Sequence, residues 1–285
     1  MINAQELKKP KHVYGMLPYS EDGLSWLDQT EVSMMDWYVF LNDLSNDGDQ
    51  SLALELLPTK VFSEISEIVD IMRYNLDESI YEDESAIITK VGGYKMWVSA
   101  EHYDKYSEYI DRYFITPVTG ITYDAVVKHY IPYMEEYVNS SKQVQKSDYH
   151  VELSLPSEEE FMRVAEDNRF VADPDNPSDY PDSVNIKGCA LYDYKTTVIC
   201  EGTEGKMEYY GYKDGPVEVY SYNPSKQGFY GLQGNALEML QEKGYAKGGS
   251  YNMYAYQAHF SFLYEYDEPT AELGFRLHGV LVENE

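Results

Sequence analysis

The stretch from Gly228 to Glu238 reads GFYGLQGNALE, and two shorter glycine-containing segments follow it, KGGSY at 247–251 and LGFRL at 273–277. Glycine tolerates positive φ and lets another backbone segment approach closely, so such segments are typical of tight turns between short strands. The last third of the chain is therefore predicted to consist of short strands and turns, from about residue 183 onwards.

The first two thirds of the chain instead predict helices. Helix signals are a near capping box at Ser33 and Asp36 before an apolar periodic stretch that stops at Asn46, and a second capping box at Ser157 and Glu160. Further helices are predicted over Phe62–Leu76 and over Thr122 to about Val138, the latter kinked or broken by Pro132. A short strand is predicted near Tyr94–Val98 and a turn-rich loop over 172–182. Helices followed by irregular β-structure predict an α+β fold.

Length and charge narrow the possible functions. The 285 residues suffice for one large core, and neither an internal repeat nor a shift in composition divides them, so a single domain over 1–285 is predicted. The formal net charge is −28. Binding to nucleic acid or to an anionic membrane surface is therefore disfavoured, because it needs clustered Lys and Arg side chains. The acidity fits a solvated surface, cation binding or a basic protein partner.

Hydropathy gives no sign of membrane insertion or of a targeting segment. No run of about 20 apolar residues is present, so no direct membrane insertion is expected. The first ten residues are polar and lack the apolar core of a signal peptide. The chain is expected to be soluble as written. A location in the cell envelope or at the cell surface stays an alternative if a signal was removed.

Six segments in the same order, from about residue 30 to 280, resemble motifs of the formylglycine-generating-enzyme family, also called sulfatase-modifying factors. The segments are TEVS at 30–33 with Tyr38 and Phe40, PVTGITYDA at 117–125, LPSEEEF at 155–161, and the three glycine-containing segments quoted above. The resemblance implies a variant C-type-lectin fold with an insert at about 46–115. The part of this insert at 86–113 resembles the longer insert of gliding-motility lipoproteins.

The catalytic cysteines of that family are absent here. The family's oxidases hold copper through two cysteines just after the Gly-Gly-Ser motif, because thiolates are soft ligands for Cu(I). Met253 and Ala258 stand at those positions, so no copper is expected and the chain resembles a pseudoenzyme. Cys189 and Cys200 lie upstream and are poor substitutes, and whether they pair is open. The histidines are scattered, and no Ser/His/Asp set is identifiable.

Calcium is the ion that the resemblance implies. One family site corresponds to Gly234, Ala236 and Glu238, although Gly231 replaces its usual Asn or Asp ligand. A second site would use Asn185 and Ile186 with an acid that the sequence leaves open between Glu208 and Asp214. The alternative is that Glu238 only hydrogen-bonds its loop. Arg276 is also expected to pair with a buried carboxylate.

Tyrosine is unusually abundant, with 30 residues. The residues Tyr251, Asn252, Tyr254 and Tyr256 fall where the family builds its pocket mouth, and tyrosine is enriched at binding surfaces. They either grip a ligand there or fill a loop-rich core. The favoured hypothesis is a non-catalytic protein-binding or scaffold subunit of a bacterial surface, gliding or secretion assembly. Alternatives are a carbohydrate or small-ligand module and a phage or particle component, and a metal-dependent oxidase is the least favoured.

Overall fold

A computed structural model describes residues 7–63, 65–77, 86–91, 94–99, 113–167, 185, 215–221, 224–253 and 257–284. Its helices are α1 (Met34–Asn46), α2 (Gln50–Glu55), α3 (Ser66–Leu76), α4 (Tyr123–Ala125), α5 (Ile131–Ser140), α6 (Lys142–Gln145) and α7 (Glu158–Asp167), with a π-helical turn at Val126–Tyr130. The strands are β1 (Met16–Pro18), β2 (Ser25–Asp28), β3 (Ala86–Val91), β4 (Tyr94–Ser99), β5 (Tyr149–Ser154), β6 (Leu237–Met239), β7 (Tyr245–Lys247), β8 (Tyr264–Glu265), β9 (Leu273–Gly274) and β10 (His278–Glu283). The described residues therefore form an α+β fold.

Strands from the beginning, middle and end of the chain form one antiparallel sheet in the order β1-β2-β10-β5. In this sheet His278 lies opposite both Leu27 and Ser154. The residues just before β10 are thereby fixed beside the end of β2, because adjacent antiparallel strands are joined by backbone hydrogen bonds.

A second sheet, in the order β8-β7-β6-β9, joins the three glycine-containing segments. Glu238 of β6 pairs with Lys247 of β7 on one side and with Gly274 of β9 on the other. Segments well separated in sequence are thus in direct contact. The third sheet among the described residues is the hairpin β3-β4.

Helix α1 begins with the predicted capping box. The Ser33 side chain accepts from the Asp36 backbone N–H at 3.2 Å, and the Asp36 carboxylate accepts from the Ser33 N–H at 3.1 Å. The helix then buries Trp37 completely, and the indole N–H donates to the Leu56 carbonyl at 3.1 Å. The Trp37 ring stacks on Tyr130 at 5.2 Å between centroids, so α1 is anchored to the π-helical turn.

The helical run from 123 to 140 is continuous, and the irregularity expected at Pro132 is a change of helical type just before it. Thr122 caps α4 by accepting from the Ala125 N–H, and the chain continues through the π-helical turn into α5, with Pro132 in the first turn of α5. Proline has no N–H to donate, so a change of helical type at this point leaves no donor unsatisfied.

Other expectations were met in part. The capping box at Ser157 and Glu160 and the strand near 94–98 are confirmed, whereas α3 begins at Ser66 rather than at Phe62. The described part of the chain after residue 183 consists of short strands and turns, as predicted. None of the described helices has the length and apolar character needed to cross a membrane. The loop at 172–182 and both cysteines lie outside the described residues.

Candidate functional site

The three glycine-containing segments meet at a fully buried ion pair between Arg276 and Glu238. The guanidinium donates from Nε to Glu238 Oε2 at 2.5 Å and from Nη2 to Oε1 at 2.6 Å. The remaining donors reach the backbone carbonyls of Asp28 and Tyr230 at 3.1 and 2.9 Å. The expected pairing of Arg276 with a buried carboxylate is therefore confirmed, and its fork matches the carboxylate in bidentate geometry.

Asn235 extends this buried cluster towards a second carboxylate. It is the one non-glycine residue with positive φ in the described part of the chain, at 62°. Its side chain accepts from Asn185 Nδ2 at 3.0 Å and from the Val217 N–H at 2.9 Å, and it donates to Glu31 Oε1 at 3.0 Å. Asn235 thus ties together three segments that are remote in sequence.

Gly231 lies against the carboxylate of Glu31. A Cβ added at this glycine, which has φ +61°, would lie 2.6 Å from the carboxyl carbon of Glu31. Glu31 is 1% exposed, and its Oε2 has no hydrogen-bond partner in the described part of the chain. Position 231, where the resemblance led us to expect an Asn or Asp ligand, thus holds a residue whose missing side chain makes room for Glu31.

The cluster contains more carboxylates than cations. Burial raises the pKa of Glu31 to about 8, against the opposing effect of Arg276. Burial also raises the pKa of Asp28 to about 8, although its carboxylate accepts from the Leu277 N–H at 2.8 Å. Burial likewise raises the pKa of Glu238, which the Arg276 charge counteracts. One guanidinium cannot compensate three buried negative charges, so protonation of Glu31 and Asp28 relieves the repulsion.

The geometry at Glu238 is that of a guanidinium partner and does not fit a calcium ligand. Both Glu238 oxygens are engaged by Arg276, and a divalent cation next to that guanidinium would be repelled. Gly234 is held by its N–H to the Gly248 carbonyl, and Ala236 is fully buried. Calcium at Gly234, Ala236 and Glu238 stays a prediction that would require Arg276 to withdraw.

Asn185 is the better fit to a cation ligand. It is 1% exposed, and its Oδ1 has no hydrogen-bond partner among the described residues, while its Nδ2 donates to the Gly215 carbonyl at 2.9 Å. An orphaned buried amide oxygen is suited to a hard cation. Ile186, the other candidate ligand, and Glu208 and Asp214, between which the acid was left open, lie outside the described residues.

Met253 and Ala258, which the resemblance aligns with copper ligands, both pack against apolar surroundings. Ala258 is fully buried against Gly249, where an added Cβ would lie 2.6 Å from the Cβ of Ala258. Met253 packs, partly buried, against the main hydrophobic cluster. Among the described residues, no group of three or more His, Cys, Asp and Glu side chains is arranged to hold a metal ion.

Tyr251 is a core residue in this structure. It is 6% exposed, and its ring meets Phe62 edge to face at 5.8 Å. Asn252 is exposed and donates to Glu272 Oε1 at 3.0 Å. Tyr254 and Tyr256 lie outside the described residues. Of the four residues assigned to the pocket mouth, Asn252 is thus the one that the structure describes at the surface.

Lys247, from the KGGSY segment, is buried at 1% exposure and organises the chain around Ala258. Its ammonium donates to the Phe260 carbonyl at 3.2 Å and pairs with Glu158 at 2.9 Å. The ammonium therefore links helix α7 to the segment that contains Ala258 and Phe260.

His278 shows that a serine, a histidine and a carboxylate do meet in the fold, which the sequence did not reveal. Ser154 Oγ lies 3.3 Å from His278 Nδ1, and Glu160 lies 3.5 Å from Nε2, which also contacts the Tyr19 hydroxyl at 2.9 Å. The imidazole is 2% exposed, and burial lowers its pKa. The imidazole thereby links β10 to β5 and to helix α7.

Two surface cavities were not predicted from the sequence, because their walls come from distant segments. One has a volume of about 420 Å³ and is lined by Thr122, Tyr123, Asp124, Lys243, Gly244, Tyr266, Asp267, Glu268 and Pro269. The other, of about 230 Å³, is lined by Tyr14, Met35, Asp36, Val39, Asp43, Tyr133, Met134 and Tyr137, and we call it the tyrosine groove. The helical spacing of the α1 and α5 residues is the one sequence signal that could have indicated the groove.

Among known proteins, the chain is similar to several solved structures. No family profile matches the chain, and no curated protein sequence matches it. The crystal structure of CarF is 14% identical, with 96% of both chains covered and a TM-score of 0.46. PvdO from Pseudomonas aeruginosa is 11% identical over 96% of this chain and 90% of its own, with a TM-score of 0.43. Variable protein 1 of Treponema denticola is 12% identical over 95% and 94%, with a TM-score of 0.38. At these scores the family assignment stays a proposal.

Proposed function

We propose that this chain is a non-catalytic protein of the formylglycine-generating-enzyme type, with a variant C-type-lectin fold, that acts as a protein-binding or scaffold subunit. The observation that carries the proposal is the packing of Ala258 against Gly249, at the position where an oxidase of this type would hold a copper-binding cysteine. Six family-like segments support the fold, while the residue types at the catalytic positions support a lost activity.

The packing around Ala258 disfavours copper chemistry on physical grounds. A copper oxidase needs two thiolates, since soft sulfur ligands stabilise Cu(I). Here one position is a methyl group without free space beside the Gly249 backbone, and the other is the thioether of Met253, which packs on the core. A thioether alone is a weak ligand and carries no charge to neutralise the ion.

Binding to another protein is supported by the surface. The net charge of −28 favours a basic partner, and large apolar side chains such as Tyr14, Tyr137 and Phe262 are each about half exposed. Exposed aromatic residues are enriched at protein interfaces. The assignment to a bacterial surface, gliding or secretion assembly rests on the resemblance of the insert at 86–113, and a phage or particle component is compatible with the same features.

The test is recovery of a partner from the native source. The chain is purified under native conditions after chemical cross-linking, and co-purifying proteins are quantified by mass spectrometry. A stoichiometric partner with cross-links to defined surface residues is expected. Recovery of the chain alone, at every salt concentration tried, would contradict the scaffold function.

A carbohydrate or small-ligand module is the second candidate, favoured by the 420 Å³ cavity. Its volume lies within the range of ligand pockets, about 300–1,000 Å³. The Tyr266 hydroxyl is buried there without a full hydrogen bond from the described residues, and burial raises its pKa to about 12 against the opposing effect of the Gly244 backbone. A ligand hydroxyl could complete that hydrogen bond. Saturation-transfer NMR with mono- and disaccharides tests this, and Tyr266→Phe should abolish any signal while leaving the stability unchanged.

Calcium at Asn185 is a separate proposal about structure rather than activity. It is supported by the orphaned Oδ1 of that residue. Elemental analysis after gentle purification should find bound calcium, and chelation should lower the melting temperature because a bound ligand stabilises the folded state. A calcium-free protein with an unchanged melting temperature after calcium addition would remove the proposal.

A further inference from the structure

The tyrosine groove lies between helices α1 and α5, and Tyr14 of the N-terminal segment also lines it. Asp36, Val39 and Asp43 share one face of α1, while Tyr133, Met134 and Tyr137 come from α5. The groove wall is continuous, because the Tyr14 and Tyr137 rings meet edge to face at 5.3 Å. Tyr14 is 56% exposed and Tyr137 is 49% exposed, so both rings present area to solvent.

The groove combines aromatic rings with carboxylates that the structure holds in place. Asp43 Oδ2 accepts from the Tyr133 hydroxyl at 2.7 Å, and Asp36 Oδ2 accepts from the Ser33 hydroxyl at 2.6 Å. The Oδ1 atoms of both aspartates accept no hydrogen bond from the described residues. Seven positions of α1 separate these aspartates, which places them about 10 Å apart along the helix. No Lys, Arg or His stands among the described residues that line the groove.

Such a lining selects a cation with a flat, weakly hydrated surface. Cations are attracted to the faces of tyrosine rings, and the attraction is strongest when the cation is only partly hydrated. A guanidinium stacks on aromatic rings and still donates to a carboxylate, whereas an ammonium is compact and strongly hydrated. At about 230 Å³ the cavity is smaller than a typical pocket for a drug-sized ligand, ~300–1,000 Å³, and it suits a single side chain.

We propose that the tyrosine groove is the docking site for an arginine side chain presented by a basic segment of a partner protein. The inference rests on the protein-binding function proposed above and adds the site and the chemistry of the partner. The net charge of −28 attracts a basic segment to the chain. The groove then binds the guanidinium through the faces of its tyrosine rings and the carboxylate of Asp43.

Methyl NMR of the full chain measures this binding directly. The chain contains 11 methionines, of which Met35 and Met134 line the groove, so the others serve as internal references. The probes are three peptides, acetyl-Gly-X-Gly-amide, in which X is arginine, lysine or the neutral arginine analogue citrulline. The arginine peptide is expected to shift the Met35 and Met134 methyl signals at millimolar concentration, the lysine peptide less, and citrulline not at all.

Two variants test the groove, and one matched variant tests general electrostatics. Asp43→Asn should weaken the arginine peptide about tenfold, because it removes a charge-assisted hydrogen bond. Tyr137→Leu should weaken binding of the arginine peptide severalfold. It also serves as the second test if the Asp43→Asn variant does not fold. Glu136→Gln removes the same charge from the exposed neighbouring position on α5, outside the groove, and should change binding less than twofold.

The following results would overturn the groove proposal. Equal shifts with arginine and citrulline would show that the positive charge is not recognised. Equal effects of Asp43→Asn and Glu136→Gln would reduce the binding to general electrostatic attraction. Binding of tetramethylammonium as tight as that of the arginine peptide would make a free organic cation the occupant. If the Asp43→Asn/Tyr137→Leu double variant recovers the native partner undiminished, the groove is not the docking site, although the scaffold function stands. If the wild-type chain recovers no partner, the scaffold function fails while the peptide experiment still decides on the groove.

Discussion

Arg276 and Glu238 form a bidentate ion pair, at 2.5 and 2.6 Å, from which solvent is completely excluded. The pair joins β6 to the segment before β10 and is completed by two backbone carbonyls on Arg276. A buried pair of this kind contributes little net stability when intact, but removing one partner leaves a charge that nothing compensates. Its geometry leads to the first prediction.

Replacing Arg276 by methionine should strongly destabilise the chain. Arg276→Met leaves Glu238 buried without its partner and two carbonyls without donors, and a loss of about 3–5 kcal/mol in the free energy of unfolding is expected. Urea denaturation followed by tryptophan fluorescence measures it. Arg163→Met is the control, because Arg163 pairs with Glu159 on the surface and should cost less than ~1 kcal/mol. Similar losses in both variants would show that the buried pair has no special role.

Stability should fall as the pH rises from about 5 to 8. Glu31 and Asp28 have pKa values near 8 in the folded state, whereas unfolded carboxyl groups titrate near pH 4. Between these values the folded state binds more protons, so its advantage is complete below pH 4 and is lost by pH 8. Each group contributes a slope of at most ~1.4 kcal/mol per pH unit.

The variant Glu31→Gln should flatten this pH dependence. It removes one of the two raised groups while keeping an oxygen that can accept from Asn235, so about half of the slope should disappear. Urea denaturation at pH 5, 6, 7 and 8 provides the comparison, with exposed Glu136→Gln as the matched variant. A slope unchanged in Glu31→Gln would mean that Glu31 is ionised in the folded state.

Alanine at position 231 should cost more than alanine at another left-handed glycine. Gly48 has φ +102° and no atom within 4 Å of an added Cβ, so Gly48→Ala reports backbone strain, about 1–2 kcal/mol. Gly231→Ala adds a collision with the Glu31 carboxylate and is expected to lose about 2 kcal/mol beyond that control. Comparable melting temperatures for the two variants would indicate that Glu31 moves aside freely.

Lys247 should matter for stability, whereas its surface counterpart should not. Lys247→Met removes the donor to the Phe260 carbonyl and should cost about 1–3 kcal/mol, the penalty of a buried acceptor left unpaired. Lys243→Met is the comparison, because Lys243 pairs with Asp124 at 2.7 Å with its side chain 65% exposed. Denaturation curves for the two variants that coincide would argue against an organising role for Lys247.

Local signals accounted for much of the secondary structure. The capping boxes at Ser33 and Ser157 located two helix starts, because each cap depends on residues three positions apart. Pro132 marked the change of helical type for an equally local reason, namely its missing N–H. The Arg276 pair could be anticipated since an arginine inside an apolar segment needs a carboxylate partner.

The candidate sites depend on contacts that no local pattern contains. Asn235 contacts Glu31 and Asn185 through the tertiary fold, from segments remote in sequence. The position of Glu31 in turn explains why residue 231 lacks a side chain. Tyr251 was assigned to a pocket mouth by its place in a motif, but its ring packs on Phe62. The same tyrosine-rich composition fits a core and a surface, and only tertiary packing distinguishes them.

The π-helical turn at Val126–Tyr130 has an evolutionary consequence for the groove. Because it sets the rotational phase of α5, gaining or losing one residue there would turn every later side chain of the helix by about 100°. Tyr133 and Tyr137 would then no longer line the tyrosine groove beside α1. Homologous chains that keep this single irregular turn should therefore keep the aromatic wall, and chains that have regularised it should have lost both together.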